Sequence, residues 1–182
     1  MTGEDATAYA LSELERALAG SPNRLGQEKR GSYRYIPLPL GIFVSQISAV
    51  VDYTNPYNYP SWIDVGCGIG TKVLLAQHMG FNAHGIDLNR RYVALARRLT
   101  RQNHKIILGN ALEHDYSGYD VIYFYKPFKN DYLEEQLEAH LIGTAQPGAI
   151  FMANLKNYQL WSEKFKDRVE HLWGGTVYRK LA

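Results

Sequence analysis

The residues whose types and spacing best suit ligand binding are one short glycine-rich segment and one aspartate that follows it in the chain. The segment Asp64–Thr71 has the sequence Asp-Val-Gly-Cys-Gly-Ile-Gly-Thr, and Asp87 follows 17 residues after Gly70. Three glycines at alternate positions let the backbone turn tightly and approach a ligand without a Cβ in the way. A carboxylate just before such a loop repels a pyrophosphate and attracts an ammonium group. The segment therefore predicts a binding loop for a ligand that carries an amine.

Asp87 ends the second strand predicted in this region. A carboxylate there can accept hydrogen bonds from both hydroxyls of a ribose. The alternative is that Asp87 caps the following helix, but Asn89 is already a good N-cap. The glycine spacing is G-x-G-x-G, whereas dinucleotide folds use G-x-G-x-x-G, and position 71 is Thr. These features favour a ribose-containing ligand and disfavour a nicotinamide-dependent oxidoreductase.

Strand–helix alternation from Trp62 onward positions both features. The pattern predicts strands at 62–65, 83–86, 105–108, 120–125 and 149–153, with helices at 41–52, 71–79, 89–102 and from 130 or 131. Continuous apolar strands separated by helices predict a parallel sheet covered on both faces. Two last strands joined at Gly174-Gly175 must be antiparallel, because the turn is so short.

The N-terminal part has a different character. Helical spacing of apolar residues predicts a short helix at about 5–19, and a polar, basic loop follows through Arg34. Prolines at 37 and 39 exclude a helix interior there. The prediction is one α/β domain with a short helical N-terminal extension over 1–60 and a core over 61–182.

Composition limits the class of protein. The 182 residues are 46% apolar and 21% charged with a net charge of +2, which predicts a soluble globular chain rather than an obvious nucleic-acid binder. Cys67 is the only cysteine, so an internal disulfide is excluded and a reducing, cytoplasmic setting is expected. The six histidines lack ligand spacing, and neither a signal peptide nor a membrane span is expected.

Five segments together resemble the motifs of the class I S-adenosylmethionine-dependent methyltransferases. In chain order they are Ile63–Gly70, Gly85–Asn89, Leu108–Ala111, Asp120–Tyr125 and Gln146–Gly148. The resemblance spans about residues 61–182. It implies a Rossmann-like seven-stranded sheet, mostly parallel, with the last strand inserted antiparallel. It also implies that S-adenosylmethionine is the cofactor.

The resemblance also implies roles for individual residues. Asp64 and Gly66 would face the methionine portion, Asp87 the ribose, and Leu88 one face of the adenine. The Asn110 side chain and the Ala111 N–H would contact the adenine, although the family commonly has Asp at the position of Asn110. The full set of expected cofactor-binding residues is Asp64, Gly66, Cys67, Gly68, Gly70, Asp87, Leu88, Asn110, Ala111 and Tyr125.

The methyl acceptor is less clearly indicated. Amino-directed nucleic-acid methyltransferases carry Asp/Asn/Ser-Pro-Pro and an aromatic after the fourth strand, where this chain has Tyr125-Lys126-Pro127-Phe128. The departure argues for a small-molecule or protein acceptor, with Tyr125, Lys126 and Tyr35 as candidate catalytic residues. A nucleic-acid methyltransferase and a non-catalytic cofactor-binding module remain the alternatives. The helix after strand two is expected to present a solvated basic face of Arg90, Arg91, Arg97, Arg98 and Arg101.

Overall fold

A computed structural model describes residues 38–54, 58–154 and 163–182. Its helices are α1 Leu40–Val51, α2 Thr71–His78, α3 Arg90–Thr100 and α4 Asp131–Thr144. Its strands are β1 Ser61–Val65, β2 Asn82–Asp87, β3 Ile106–Leu108, β4 Val121–Phe124, β5 Ile150–Ala153, β6 Val169–Trp173 and β7 Val177–Lys180. The predicted helix at 5–19, the loop that follows it and Tyr35 lie outside the described residues.

The seven strands form one sheet in the order β3-β2-β1-β4-β5-β7-β6. Strands β1 to β5 pair in parallel, and β7 lies antiparallel to both β5 and β6. The turn between β6 and β7 uses Gly174 and Gly175 at φ of 55° and 69°, which suits glycine. The predicted fold is confirmed, including the last strand inserted antiparallel.

One face of the sheet is covered by α1, α2 and α3. Phe43 of α1 is fully buried, and its ring lies edge-on to Trp62 of β1 and Tyr123 of β4, with centroids 6.2 and 5.2 Å apart. Edge-to-face contacts of this kind add to the free energy gained from burying apolar area. The predicted helix at 41–52 therefore forms and belongs to the core.

The other face is covered by α4. Leu137 and Leu141 are fully buried against strand residues such as Ile122 and Phe151. Strand residues alternate between the two faces, so each strand contributes to both cores. Helices on both faces of the sheet agree with the prediction.

Side-chain caps fix where two helices begin. Asn89 accepts hydrogen bonds from the N–H groups of Arg91 and Tyr92, and Asn130 does the same for Tyr132 and Leu133. The expected cap at Asn89 is confirmed, and Asn130 rather than Asp131 caps α4.

Three strands are shorter than predicted, and the smallest change is in β5, which begins at Ile150 rather than Ala149. Strand β4 ends at Phe124, one residue before the predicted end, because Lys126 takes a left-handed conformation with φ of 43°. Strand β3 begins at Ile106, because a 3₁₀ turn occupies Asn103–Lys105. Within the described ranges, no helix is long and apolar enough to cross a membrane.

Removing the Phe43 ring tests the attachment of α1. We expect Phe43→Ala to lower the free energy of unfolding by about 3–5 kcal/mol, since it leaves a cavity among Trp62 and Tyr123. Val44→Ala is the matched control on the next residue, where the side chain is 39% exposed. Urea unfolding of both variants measures the difference. Equal, small losses for the two variants would contradict the role of α1 in the core.

Candidate active site at the carboxyl edge of the sheet

Four strand ends meet at one edge of the sheet. Strand β1 is followed by residues 66–70, here called the glycine loop, and β2 ends at Asp87. Strand β4 is followed by Tyr125, and β5 is followed by Asn154. The register pairs Val65 with Ile86 and Phe124 with Ala153, so these ends are level. In open α/β sheets, ligands bind at the carboxyl ends of the strands. The predicted binding residues after β1 and β2 are therefore brought together.

The N–H groups of the glycine loop form hydrogen bonds within the protein. Gly66 and Cys67 donate to the Ile86 carbonyl oxygen at 2.9 and 3.0 Å, and Gly70 donates to the Cys67 carbonyl oxygen at 2.9 Å. Gly68 donates to Asp87 Oδ2 at 2.9 Å. Gly66, Gly68 and Gly70 all have positive φ, at 82°, 54° and 81°. Four N–H groups are thus already engaged, and a loop of this kind is a poor cradle for a pyrophosphate.

Asp87 is the polar centre of the edge. Its Oδ2 accepts from the Gly68 N–H and its Oδ1 accepts from the Asn89 N–H at 2.7 Å, and the residue as a whole is half-buried. Burial raises the pKa of Asp87 to about 6, against the lowering effect of the two N–H donors. Each carboxylate oxygen has a further lone pair for a hydroxyl donor. The Asp87 carboxylate therefore fits a pair of ribose hydroxyls.

Apolar surface lies beside Asp87. Leu88 is 52% exposed and Leu108, at the end of β3, is 40% exposed. Asn110 caps its own turn: its Oδ1 accepts from the Leu112 N–H at 3.1 Å, and its Nδ2 donates to Glu113 at 2.7 Å. One lone pair of the Asn110 oxygen remains for an adenine amino group. The surface next to Asp87 thus fits a flat heterocycle.

Cys67 faces the interior. The residue is 4% exposed, and a Cβ placed on Gly85 would lie 2.8 Å from the Cys67 Cβ. Burial and the nearby carboxylates of Asp87 and Asp64 raise the pKa of the thiol. A neutral, enclosed thiol is a packing residue rather than a nucleophile. Asp64, near the end of β1, is also only 4% exposed.

The segment after β4 rests on the glycine loop. A Cβ on Gly66 would lie 2.8 Å from the Pro127 Cβ, so glycine is needed there for close approach as well as for its φ. Tyr125, Lys126 and Phe128 are half-buried around this contact. The candidate catalytic residues Tyr125 and Lys126 therefore adjoin the candidate cofactor site, whereas Tyr35 lies outside the described residues.

Two features of the edge escape sequence reasoning. Gln46 of α1 donates to Asn154 Oδ1 at 2.7 Å and to Thr176 Oγ1 at 2.9 Å, and Asn154 donates back to Gln46 at 3.2 Å. Glu134 of α4 accepts from the Phe128 N–H at 3.1 Å. The only local signal for Glu134 is its place on the buried stripe of Leu137 and Leu141. In the described part of the chain, no cluster of three His, Cys, Asp or Glu residues is suited to a metal ion.

A family model matches the part of the chain that holds the candidate site. Residues 63–130, which contain the glycine loop, Asp87 and the segment after β4, match the model of the methyltransferase domain. Over these residues the chain is similar to the S-adenosylmethionine-dependent methyltransferases, and we describe it below as a methyltransferase. S-adenosylmethionine is the cofactor of this family, and the match leaves the methyl acceptor of this methyltransferase open. No curated protein matches the sequence.

Solved structures share the fold of this methyltransferase at low identity. An RNA methyltransferase from Salinibacter ruber, in complex with S-adenosyl-L-homocysteine, is 22% identical with a TM-score of 0.55, covering 80% of this chain and 92% of its own. Magnesium protoporphyrin IX methyltransferase from Synechocystis PCC 6803, with bound cofactor, is 13% identical with a TM-score of 0.56, covering 95% and 94%. A Thermoplasma acidophilum protein is 16% identical with a TM-score of 0.57, covering 86% and 81%.

The raised pKa of Asp87 makes the stability of the ligand-free methyltransferase depend on pH. The folded state favours the protonated acid, so this contribution to stability is present below about pH 4 and is lost as pH rises through about 6. We expect Asp87→Asn, which cannot ionise, to gain about 1–3 kcal/mol relative to wild type between pH 4 and pH 8. Denaturant unfolding at both pH values measures this gain. A difference between the two proteins that is independent of pH would contradict it.

Proposed function

We propose that the methyltransferase binds S-adenosylmethionine along the edge formed by β1, β2 and β3. The Asp87 carboxylate accepts the ribose hydroxyls, and Leu88 covers one face of the adenine. The Asn110 side chain and the Ala111 N–H meet the adenine edge, and Asp64 attracts the ammonium of the methionine portion. The observation that carries this proposal is the Asp87 carboxylate, which is already oriented by two N–H donors and keeps further lone pairs.

The remaining loop residues support binding through their backbone. Gly66, Gly68 and Gly70 permit the turn, and Cys67 fills the space above Gly85. Tyr125 closes the site from the side of β4. When bound, the cofactor supplies an electrophilic methyl group on a sulfonium. The main task of the protein is then to align the acceptor, and a strong base is not required. We assign this alignment to Tyr125 and Lys126, with Tyr35 as a further candidate.

A small molecule is the acceptor we favour. A cavity of about 360 Å³ lies between α1 and the β6–β7 turn, with Ile42, Ser45 and Trp173 among its lining residues. Gln46 and Thr176 also line the cavity. Behind them, Gln46 is hydrogen-bonded to Asn154, whose N–H donates to the Phe124 carbonyl oxygen of strand β4 at 3.2 Å. The cavity volume falls in the range of small-molecule sites, and its lining is mainly apolar with a few polar groups. A protein side chain reaching the same place is the alternative within this proposal.

A nucleic-acid acceptor is the second candidate, favoured by the surface of α3. This helix has no acidic residue in its first turn, and Arg90, Arg91, Arg98 and Arg101 are exposed. Arg97 differs, because its guanidinium donates twice to the Ile106 carbonyl oxygen, at 3.0 and 2.8 Å. Guanidinium groups suit phosphates. The structural likeness to an RNA methyltransferase is in keeping with this candidate.

Two further expectations remain proposals. We place the protein in the cytoplasm, where thiols such as that of Cys67 are kept reduced. We also treat residues 1–60 as an extension of the same domain, so that Tyr35 can contribute to the site.

Cofactor binding is the first test. We expect S-adenosylhomocysteine to bind wild-type protein and Asp87→Ala to bind it about 10- to 100-fold more weakly, because hydrogen bonds to a charged group are lost. Asp167→Ala, which removes an exposed acid before β6, is the matched control and should bind normally. Calorimetric titration measures all three proteins. Absence of binding to wild type, or equal binding to Asp87→Ala, would contradict the assigned site.

Transfer from labelled S-adenosylmethionine to panels of small molecules, peptides and RNA then separates the acceptor classes. Transfer of the label to RNA would favour the second candidate. The affinity of the protein for that RNA should then fall steeply with salt and in the Arg98→Glu variant. Labelled small molecules would support the first. Cofactor binding without transfer to any panel would favour the non-catalytic binding module.

A further inference from the structure

A buried carboxylate lies directly behind the segment after β4. Glu134, in the first turn of α4, is 9% exposed, and its Oε2 accepts from the Phe128 N–H at 3.1 Å. Its other oxygen, Oε1, is buried and has no hydrogen-bond partner. A buried carboxyl group with one unsatisfied oxygen is costly, so its presence calls for a reason beyond packing.

The segment Tyr125–Phe128, here called the β4 loop, is held on two sides at its last two residues. Pro127 lies against Gly66 on the side of the glycine loop, and Phe128 is bonded to Glu134 on the side of α4. Lys126, directly before these two residues, has a φ of 43°, which is unfavourable for a residue with a side chain. Such a conformation persists only where surrounding contacts impose it. The Glu134 bond is one of the contacts that hold the β4 loop in this shape.

The surroundings of Glu134 have opposing effects on the pKa of its carboxyl group. Burial comes first in raising its pKa, to about 7, and the carboxylates of Glu138 and Asp131 on the same helix add to this. The Phe128 N–H favours the ionised form, as does the start of α4. Lys164, preceding β6, lies 3.8 Å from Glu138 and offsets part of that charge. Both protonation states of Glu134 are therefore populated near neutral pH.

We propose that Glu134 is a positioning residue that fixes the β4 loop against the glycine loop and so sets where Tyr125 and Lys126 stand in the active site. The inference rests on the proposed function in taking the β4 loop as the acceptor side of that site. An ionised carboxylate accepts a stronger hydrogen bond from the Phe128 N–H than a neutral acid does. The β4 loop is therefore held most firmly above the pKa of Glu134 and loosens below it.

The test follows backbone amide signals of the full chain by nuclear magnetic resonance between pH 5 and pH 9. In wild type, the Phe128 amide should shift with a midpoint near pH 7, and the Tyr125 and Lys126 amides should follow with the same midpoint. Glu134→Gln should abolish this shift at all three amides, because the amide side chain does not titrate. Glu138→Gln, on the same buried helix face, should keep the shift and lower its midpoint.

The outcomes separate this inference from the cofactor assignment, because no ligand is present in the experiment. A Phe128 signal that does not titrate in wild type, or still titrates in Glu134→Gln, would overturn the role of Glu134. A shift confined to Phe128 would also overturn it, because the β4 loop would then not respond as a unit. Failure of cofactor binding would leave these spectra unchanged and would count only against the proposed function.

Discussion

The pair of hydrogen bonds to Asp87 joins three parts of the candidate site at one carboxylate. One oxygen holds Gly68 of the glycine loop and the other holds the Asn89 N–H, directly before α3. The end of β2, the turn after β1 and the start of α3 are thus fixed together. The cost is a carboxylate in a poorly solvated place, with its pKa raised to about 6. A ligand that brings hydroxyl donors would relieve this cost, so the proposed cofactor binding is compatible with the ordering role of the same residue.

Two glycines without a Cβ let the elements around Asp87 pack closely along this edge of the sheet. Gly85 leaves room for Cys67, and Gly66 leaves room for Pro127, so the glycine loop lies directly against both β2 and the β4 loop. A displacement of either neighbour is therefore passed to the loop. Glu134 extends the chain of contacts one step further, from Phe128 to α4. The proposed cofactor side and the proposed acceptor side are therefore connected by direct packing contacts and one hydrogen bond.

Local signals were sufficient for the parts of the fold that depend on neighbouring residues. Asn89 and Gly174-Gly175 gave the helix cap and the antiparallel turn, and the place of Asp87 at the end of β2 followed from the strand pattern. Other features depend on distant contacts. Gln46 and Asn154 are 108 positions apart, and nothing local predicts that Lys126 adopts a positive φ. The resemblance of motifs gave the cofactor, but the β4 loop departs from the family pattern, so the acceptor did not follow.

Proton release on cofactor binding is the most direct test of the role proposed for Asp87, which is to accept the ribose hydroxyls. Hydroxyl donors favour the ionised carboxylate, so binding should lower the pKa of Asp87 from about 6. Calorimetric titration of S-adenosylhomocysteine at pH 6, in two buffers of different ionisation enthalpy, should show release of about half a proton per site in wild type. The Asp87→Asn protein should show none. Binding to wild type without proton release, or the same release from Asp87→Asn, would contradict the account.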